Sequence, residues 1–201
     1  MTRFSLIRHA RTRWNMEKRL QGSKDLPICP EGEADARQWA EVLKAGSFDT
    51  VLSSPLVRAK QTAGVIAREI GLEVIVDPGL SEQDFGQWEG RRLRELRQEK
   101  PDPVAEQETR GWSFSAPGGE SRIQVRDRGV AVMERNAKTC PGKHFLVVTH
   151  NSMIKCLLYH FLGREFLPEE PDVLRPLHLH RIEWSGGSVS VETNVISLNR
   201  V

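Results

Sequence analysis

Cysteine is scarce in this chain of 201 residues: Cys29, Cys140 and Cys156, an odd number with no C-x-x-C spacing. That pattern fits neither a disulfide framework nor a thiolate zinc site, and it suits a reducing compartment. Long apolar runs are missing too, so nothing reaches the roughly 20 residues of a membrane-crossing helix. The N-terminus enters a strand by Phe4 without a basic and apolar leader. A cytoplasmic protein without a membrane partner is expected. Net charge is also small, +2, which does not imply a nucleic-acid partner without a strongly basic face. Repeats, low-complexity tracts and linkers are absent, so the expectation is a single domain over residues 1–201.

What the chain does have is a short apolar run at Phe4-Ser5-Leu6-Ile7 that ends on Arg8-His9. The run reads as a buried strand, with His9 just past its carboxyl end, where open α/β sheets place their ligands. Arg8 beside His9, with Arg11 and Asn15 close behind, makes an anion site that also holds a nucleophile. The alternative for this stretch alone is a strand-end histidine on a solvated rim.

Strands and helices alternate beyond it. Strands are expected at 48–53, 73–77 and 144–149, helices at 55–70 and 152–162, and a terminal hairpin at 177–184 and 188–194 around Ser185-Gly186-Gly187. Residues 14–29 read as a loop, Pro30 opens a helix that Gly46 ends, Pro55 suits the first turn of its helix, and Gly71 stops that helix. Another helix is expected to begin at Pro117-Gly118-Gly119-Glu120-Ser121 and run to about Lys138. Between them, Arg91, Arg92, Arg94 and Arg97 read as a solvated helix face, since Glu95 and Glu99 interleave and no aromatic platform accompanies them. Residues 100–116, with Pro101 and Pro103, read as a loop, and 91–117 as a lid or substrate-selecting segment. The alternation implies an α/β/α sandwich of three layers on a mostly parallel central sheet.

Four motifs stand in order: Arg8-His9-Ala10-Arg11-Thr12, Ser53-Ser54-Pro55-Leu56-Val57-Arg58, Leu80-Ser81-Glu82-Gln83-Asp84-Phe85-Gly86, and Val147-Val148-Thr149-His150-Asn151. Together the chain from Phe4 to Leu162 resembles the histidine phosphatase superfamily, also called the phosphoglycerate mutase-like family. The resemblance implies the same fold, with His9 as nucleophile, Arg8 and Arg58 as phosphate clamps, His150 as the second pocket histidine and Glu82 as the acid. Asp84 and Glu89 are nearby alternatives to Glu82. The meeting of His9, Arg58 and His150 is a prediction of the fold, since no spacing in the sequence establishes it.

The residues suit phosphoryl transfer, which depends on positioning and cationic donors. Arg8 and Arg58 offer permanently charged planar forks. Asn15 adds an amide donor, and the backbone of Asn151, near a helix N-terminus, adds another. Neutral imidazole can attack phosphorus, and a carboxyl group opposite can protonate the leaving alkoxide and then activate water. Thr12 and Thr62 read as turn and helix residues that support the site. No metal or nucleotide cofactor is required, and His178 and His180, two residues apart in a strand, are too few ligands for a metal.

Several positions depart from the family pattern. Ala10 stands for the commoner Gly, and Asn151 for a small residue, which bears on the backbone's approach to phosphate. Cys29 stands for a capping Thr or Ser. Arg11 replaces a polar or acidic residue; it either makes the rim more cationic, favouring a substrate with a second acidic group, or faces solvent. The expected function is hydrolysis of a small phosphorylated metabolite through a phosphohistidine on His9. The alternatives are mutase-type phosphotransfer, a protein phosphohistidine phosphatase and a non-catalytic phosphate-binding module. The 91–117 interval lacks the extended insertion of the cofactor-dependent mutases, which favours hydrolysis.

Overall fold

The computed structural model describes residues 1–99 and 101–199; Lys100, within the expected lid, lies outside the described residues. The apolar run at the N-terminus forms strand β1 (Thr2–Arg8), and the β-branched run near the middle forms β4 (His144–Thr149). They pair in parallel at the centre of a six-stranded sheet. Strand β2 (Thr50–Ser53) joins β4, and β3 (Val74–Val76) joins β2, both in parallel. On the other side of β1, β5 (His178–Ser185) and β6 (Ser188–Ser197) form an antiparallel hairpin. The spatial order β3-β2-β4-β1-β5-β6 is the expected mostly parallel sheet.

Successive side chains of a strand point to opposite faces, and both faces of the central strands are covered. Phe145 and Val147 of β4 join Phe4 and Leu6 in a core with α6 (Arg122–Thr139) and α7 (Asn151–Phe161). Leu146 and Val148 join Ile7 in a second core with α2 (Pro30–Leu43) and α3 (Val57–Ile70). Trp39 of α2 and Ile66 of α3 are buried there. A third, small cluster of Trp88, Leu96, Val104, Phe114 and Ala116 holds α4 (Leu93–Glu99) and α5 (Pro101–Glu108) together.

The differences from expectation fall mostly at prolines and caps. Residues 101–108 are helical where a loop is expected, because Pro101 and Pro103 lie in the first turn, whose N–H groups have no intrahelical partner to lose. Pro55, by contrast, precedes the helix cap at Leu56 and is not in the first turn. Helix α6 starts at Arg122, several residues after Pro117, where Ser121 and Gln124 form a reciprocal capping box. The stretch read as a loop contains a one-turn helix, α1 (Arg13–Met16), capped by Thr12 and Asn15 in the same way. Helix α2 ends at Leu43 before Gly46 is reached, whereas Gly71 caps α3 in the left-handed conformation at φ 72°.

Cys29 caps α2 without a side-chain bond to the helix; its thiol donates instead to the Arg11 carbonyl at 3.4 Å. Gly32 explains how α2 comes so near this loop: a Cβ there would stand 2.1 Å from the Arg11 carbonyl oxygen. Arg11 itself pairs with Asp35 through two bonds, at 2.5 and 2.8 Å. The cationic-rim reading of Arg11 is corrected, since its charge is met by α2. Of the basic stretch, Arg94 and Arg97 are exposed on α4 as expected, with Arg97 on Glu108 at 2.6 Å, whereas Arg91 and Arg92 precede the helix and are half-buried, Arg91 on Glu99 at 2.6 Å and Arg92 donating from Nε to the Glu17 carbonyl at 2.8 Å. Among the described residues no helix is long and apolar enough to cross a membrane.

Candidate active site

The register of the sheet builds the site. Arg8 of β1 lies opposite Thr149 of β4, and Ser53 of β2 opposite Val148. The residues that follow, His9, Ser54 and His150, therefore emerge side by side at the carboxyl ends of three adjacent parallel strands. His9 is tied there by its own N–H to the Thr149 carbonyl at 2.9 Å. The next N–H, of Ala10, donates at 2.9 Å to the hydroxyl of Thr62, which in turn donates to the Arg58 carbonyl at 2.7 Å.

His9 and His150 are both buried, with ring centroids 5.2 Å apart and planes inclined at 57°. Nδ1 of His9 lies 2.7 Å from the Ala10 carbonyl, which can only accept, so Nδ1 carries the proton and Nε2 keeps its lone pair. Burial first, then the charges of Arg8 and Arg58, hold the His9 pKa well below the ordinary histidine value. The ring is neutral at neutral pH and can act as a nucleophile. His150 is likewise held well below the ordinary value, by burial and then by His9 and the arginines. Its Nε2 shares a 2.7 Å hydrogen bond with the Ser54 hydroxyl, while its buried Nδ1 has no partner among the described residues. Ser54 is oriented in turn by accepting from the Leu56 N–H at 3.2 Å.

Arg58 is fully buried in the first turns of α3. Its two terminal nitrogens donate to the carbonyls of Lys24 and Gly22, each at 2.7 Å, and its Nε has no partner among the described residues. Much of the fork expected to clamp an anion thus ties down the 22–24 loop, leaving Nε and the remaining N–H groups. The Arg8 side chain is solvent-accessible and makes no hydrogen bond or ion pair among the described residues. Crowding by protein around it lowers its pKa, opposed by the charge of Glu82. Asn15 is half-buried; its Oδ1 accepts from the Thr12 N–H at 2.9 Å and from the Thr12 hydroxyl at 3.1 Å, which leaves Nδ2 as its free donor.

Glu82 is buried, and its Oε1 accepts from the N–H groups of Gln83 at 2.9 Å and Ser152 at 3.2 Å. Ser152 is in the first turn of α7, so the carboxylate sits at the electropositive end of that helix. Asn151, the first residue of α7, is exposed, and its N–H has no carbonyl one turn back in the helix. The arginines and both histidines feel one another's charge, and both arginines feel Glu82. The structure thus brings Arg8, His9, Arg58, Glu82 and His150 together, with Asn151 beside Glu82; Asn15 is in the adjoining one-turn helix α1, bonded to its cap Thr12.

Sequence reasoning missed Ser54, which sits between two motif residues without a signal of its own, and Arg128. Arg128 of α6 uses every N–H of its guanidinium. Nη1 donates to the carbonyls of Gly79 and Ser81 at 2.9 and 2.6 Å, and Nη2 to the Glu82 carbonyl at 3.0 Å. Nε and Nη2 hold the Glu120 carboxylate at 2.8 and 2.9 Å. Thr149 adds a 2.6 Å bond to the Leu80 carbonyl, so the segment carrying Glu82 is fastened from both sides.

Two cavities leave this centre. One of about 200 Å³ runs past Arg8 and Asn151 toward Asp172, Arg175 and His178. Another of about 240 Å³ runs from Asn151, Ser152 and Gln83 under α4 and α5. His178 donates from Nδ1 to the Pro176 carbonyl at 2.7 Å, and buried His180 accepts the Asn194 N–H at 3.2 Å. Among the described residues no group of three or more His, Cys, Asp or Glu is arranged to hold a metal.

The architecture and the paired histidines define a phosphoglycerate mutase-like phosphotransfer fold, and comparison with known proteins agrees. The chain belongs to the histidine phosphatase superfamily (branch 1), whose family model matches residues 4–196. A Cronobacter sakazakii protein named as a probable phosphoglycerate mutase, GpmB, is 33% identical over 193 residues, covering 92% of this chain and 86% of its own. The solved structure of Bacillus stearothermophilus YhfR superposes with a TM-score of 0.85 at 27% identity, over 95% of both chains. Phosphoserine phosphatase from Entamoeba histolytica, in complex with 3-phosphoglyceric acid, superposes with a TM-score of 0.82 at 28% identity, again over 95% of both.

Proposed function

We propose that this protein hydrolyses a small phosphomonoester through a phosphohistidine on His9. The observation that carries the reading is the His9 ring: buried, neutral, with Nδ1 bonded to the Ala10 carbonyl and Nε2 free beside two arginines. In this reading Nε2 attacks phosphorus, the bond from phosphorus to the ester oxygen breaks, and Glu82 in its acid form protonates the departing oxygen to give the alcohol. Arg8, Arg58, Asn15, the Asn151 N–H and His150 bind the phosphoryl oxygens as their charge spreads in the transition state. Water then attacks the phosphoenzyme and gives a proton to the Glu82 carboxylate. The P–N bond breaks, its electron pair returns to Nε2, and phosphate leaves. Residues 91–99 and 101–117 act as the wall that covers the alcohol.

The name of the Cronobacter relative favours a second reading, phosphoryl transfer between two positions of one substrate; the Entamoeba neighbour, a phosphatase by name, favours hydrolysis. An aryl phosphate offered without added metal separates the cases. We expect phosphate release by the wild type, a loss of about a thousandfold or more in His9→Ala, and acid-labile phosphate trapped on His9 in rapid-quench samples. Retained turnover in His9→Ala removes His9 from the nucleophile's role. An isomerised product that needs a bisphosphate primer, with little free phosphate, establishes the mutase.

A further inference from the structure

The 240 Å³ cavity under α4 and α5 has room for on the order of eight water-sized groups. One end is the candidate active site, since Ser152 lines it and also holds Glu82. The rest is largely aromatic, with Phe85, Trp88, Phe114 and Phe166 on its wall. Trp88 and Phe114 meet edge to face with centroids 5.9 Å apart.

Into this apolar wall the chain places one arginine. The guanidinium carbon of Arg122 lies 4.2 Å from the Phe114 ring centroid and 4.0 Å from that of Phe166. Only its Nη1 is bonded, to the carbonyls of Gly111 at 3.0 Å and Phe166 at 3.3 Å. Among the described residues Nε and Nη2 have no partner, and they are not sealed off by packing. The other charged groups on the wall are matched: Glu108 accepts from Arg97 at 2.6 Å, and Lys155 donates to Asp172 at 3.2 Å. Among the described residues no carboxylate hydrogen-bonds to Arg122, although the charge of Glu108 on the same wall reaches it. Burial brings its pKa down to about 10, which leaves it charged at neutral pH. The two aromatic faces and the two carbonyls hold the guanidinium in place, while Nε and Nη2 stay open toward the cavity. Its stiff planar fork suits carboxylate recognition.

We infer that this cavity takes the alcohol portion of the substrate and that Arg122 binds a second anionic group on it, a carboxylate carried on a flat or apolar carbon frame. Naming that portion the alcohol rests on the phosphatase reading; the anion site itself does not. The second acidic group that one of the two readings of Arg11 would favour is assigned to Arg122 instead.

The test uses ligands that cannot be hydrolysed. Calorimetry on the intact protein compares benzylphosphonate with 4-carboxybenzylphosphonate. We expect the carboxylated ligand to bind the wild type about tenfold tighter or better, the range of one or two charge-assisted hydrogen bonds. In Arg122→Met the ratio falls to near one, and in Arg122→Lys it recovers in part. Equal affinities in the wild type, no measurable binding of either ligand, or a preference that persists in Arg122→Met overturns the inference. If Arg122→Met does not fold, Arg122→Lys decides, because loss of the planar fork must still lower the ratio. Failure of the phosphatase reading looks different: the binding preference stands, and phenyl phosphate releases no phosphate.

Discussion

At the scale of single residues, the site is made by fixing one nitrogen of each imidazole. The Ala10 carbonyl settles the His9 tautomer, and Ser54 orients His150 through a 2.7 Å bond in which either partner can donate. Ser54 is a positioning residue in this scheme, since it acts through His150. Ser54→Ala would leave Nε2 of a fully buried ring and the Leu56 N–H without their partner. We expect kcat to fall by roughly ten- to a hundredfold, as for other groups that orient a catalytic ligand, while thermal unfolding shows a folded protein. Unchanged kcat in a folded Ser54→Ala would remove that role. His9 and His150 were legible because each follows a compact apolar run. Ser54 was not, because nothing in Ser53-Ser54-Pro55 distinguishes a serine that meets a histidine 96 positions later from one that turns the chain.

At the scale of elements, α6 reaches across to fix the segment bearing Glu82. Arg128 alone donates to three consecutive-turn carbonyls, at Gly79, Ser81 and Glu82, and Gln83 adds a 2.8 Å bond to the Glu120 carbonyl. Arg128→Lys keeps the charge and loses the fork. The segment then drifts, and displacements near 1 Å can slow a reaction about a hundredfold. We therefore expect kcat to drop by about ten- to a hundredfold in steady-state kinetics, with KM shifted by less than about threefold, since the phosphate-binding groups stay in place. A purely structural Arg128 would lower stability and leave that ratio alone. The sequence offered no sign of this clamp: on α6 the arginine looks like any polar-face residue, and its acceptors are backbone carbonyls, which every sequence contains. Pro101 and Pro103 misled for a related reason, since proline ends a helix from within but is tolerated where one starts.

At the scale of the molecule, stability and pH are linked through histidines buried in neutral form. Burial holds His180 at a pKa of about 4, and His9 and His150 are also displaced downward. The unfolded chain takes up protons at these positions as pH falls below about 6.5, while the folded chain does not. Folding stability is therefore full above that value and is lost on acidification. For His180 alone the loss approaches about 3 kcal/mol by pH 4. Urea unfolding followed from pH 7 to pH 5 should show a falling midpoint, and a midpoint that stays level over that window would contradict the neutral burial of these rings.

Local chemistry in the sequence decided the strands, most of the helices and the residue types of the site, because runs of Val, Leu and Ile bounded by polar residues have few other solutions. It also decided that cationic and nucleophilic side chains would stand at strand ends. Only the tertiary structure decided which of them meet. The parallel register sets Arg8 against Thr149 and Ser53 against Val148, and pairings so distant in sequence are set by sheet order and by two cores packing at once, not by any neighbour in the chain. The same holds for where each guanidinium goes: Arg11 to Asp35, Arg58 to the 22–24 loop, Arg128 to the Glu82 segment and Arg122 to an aromatic wall. An arginine's partner is a matter of three-dimensional reach.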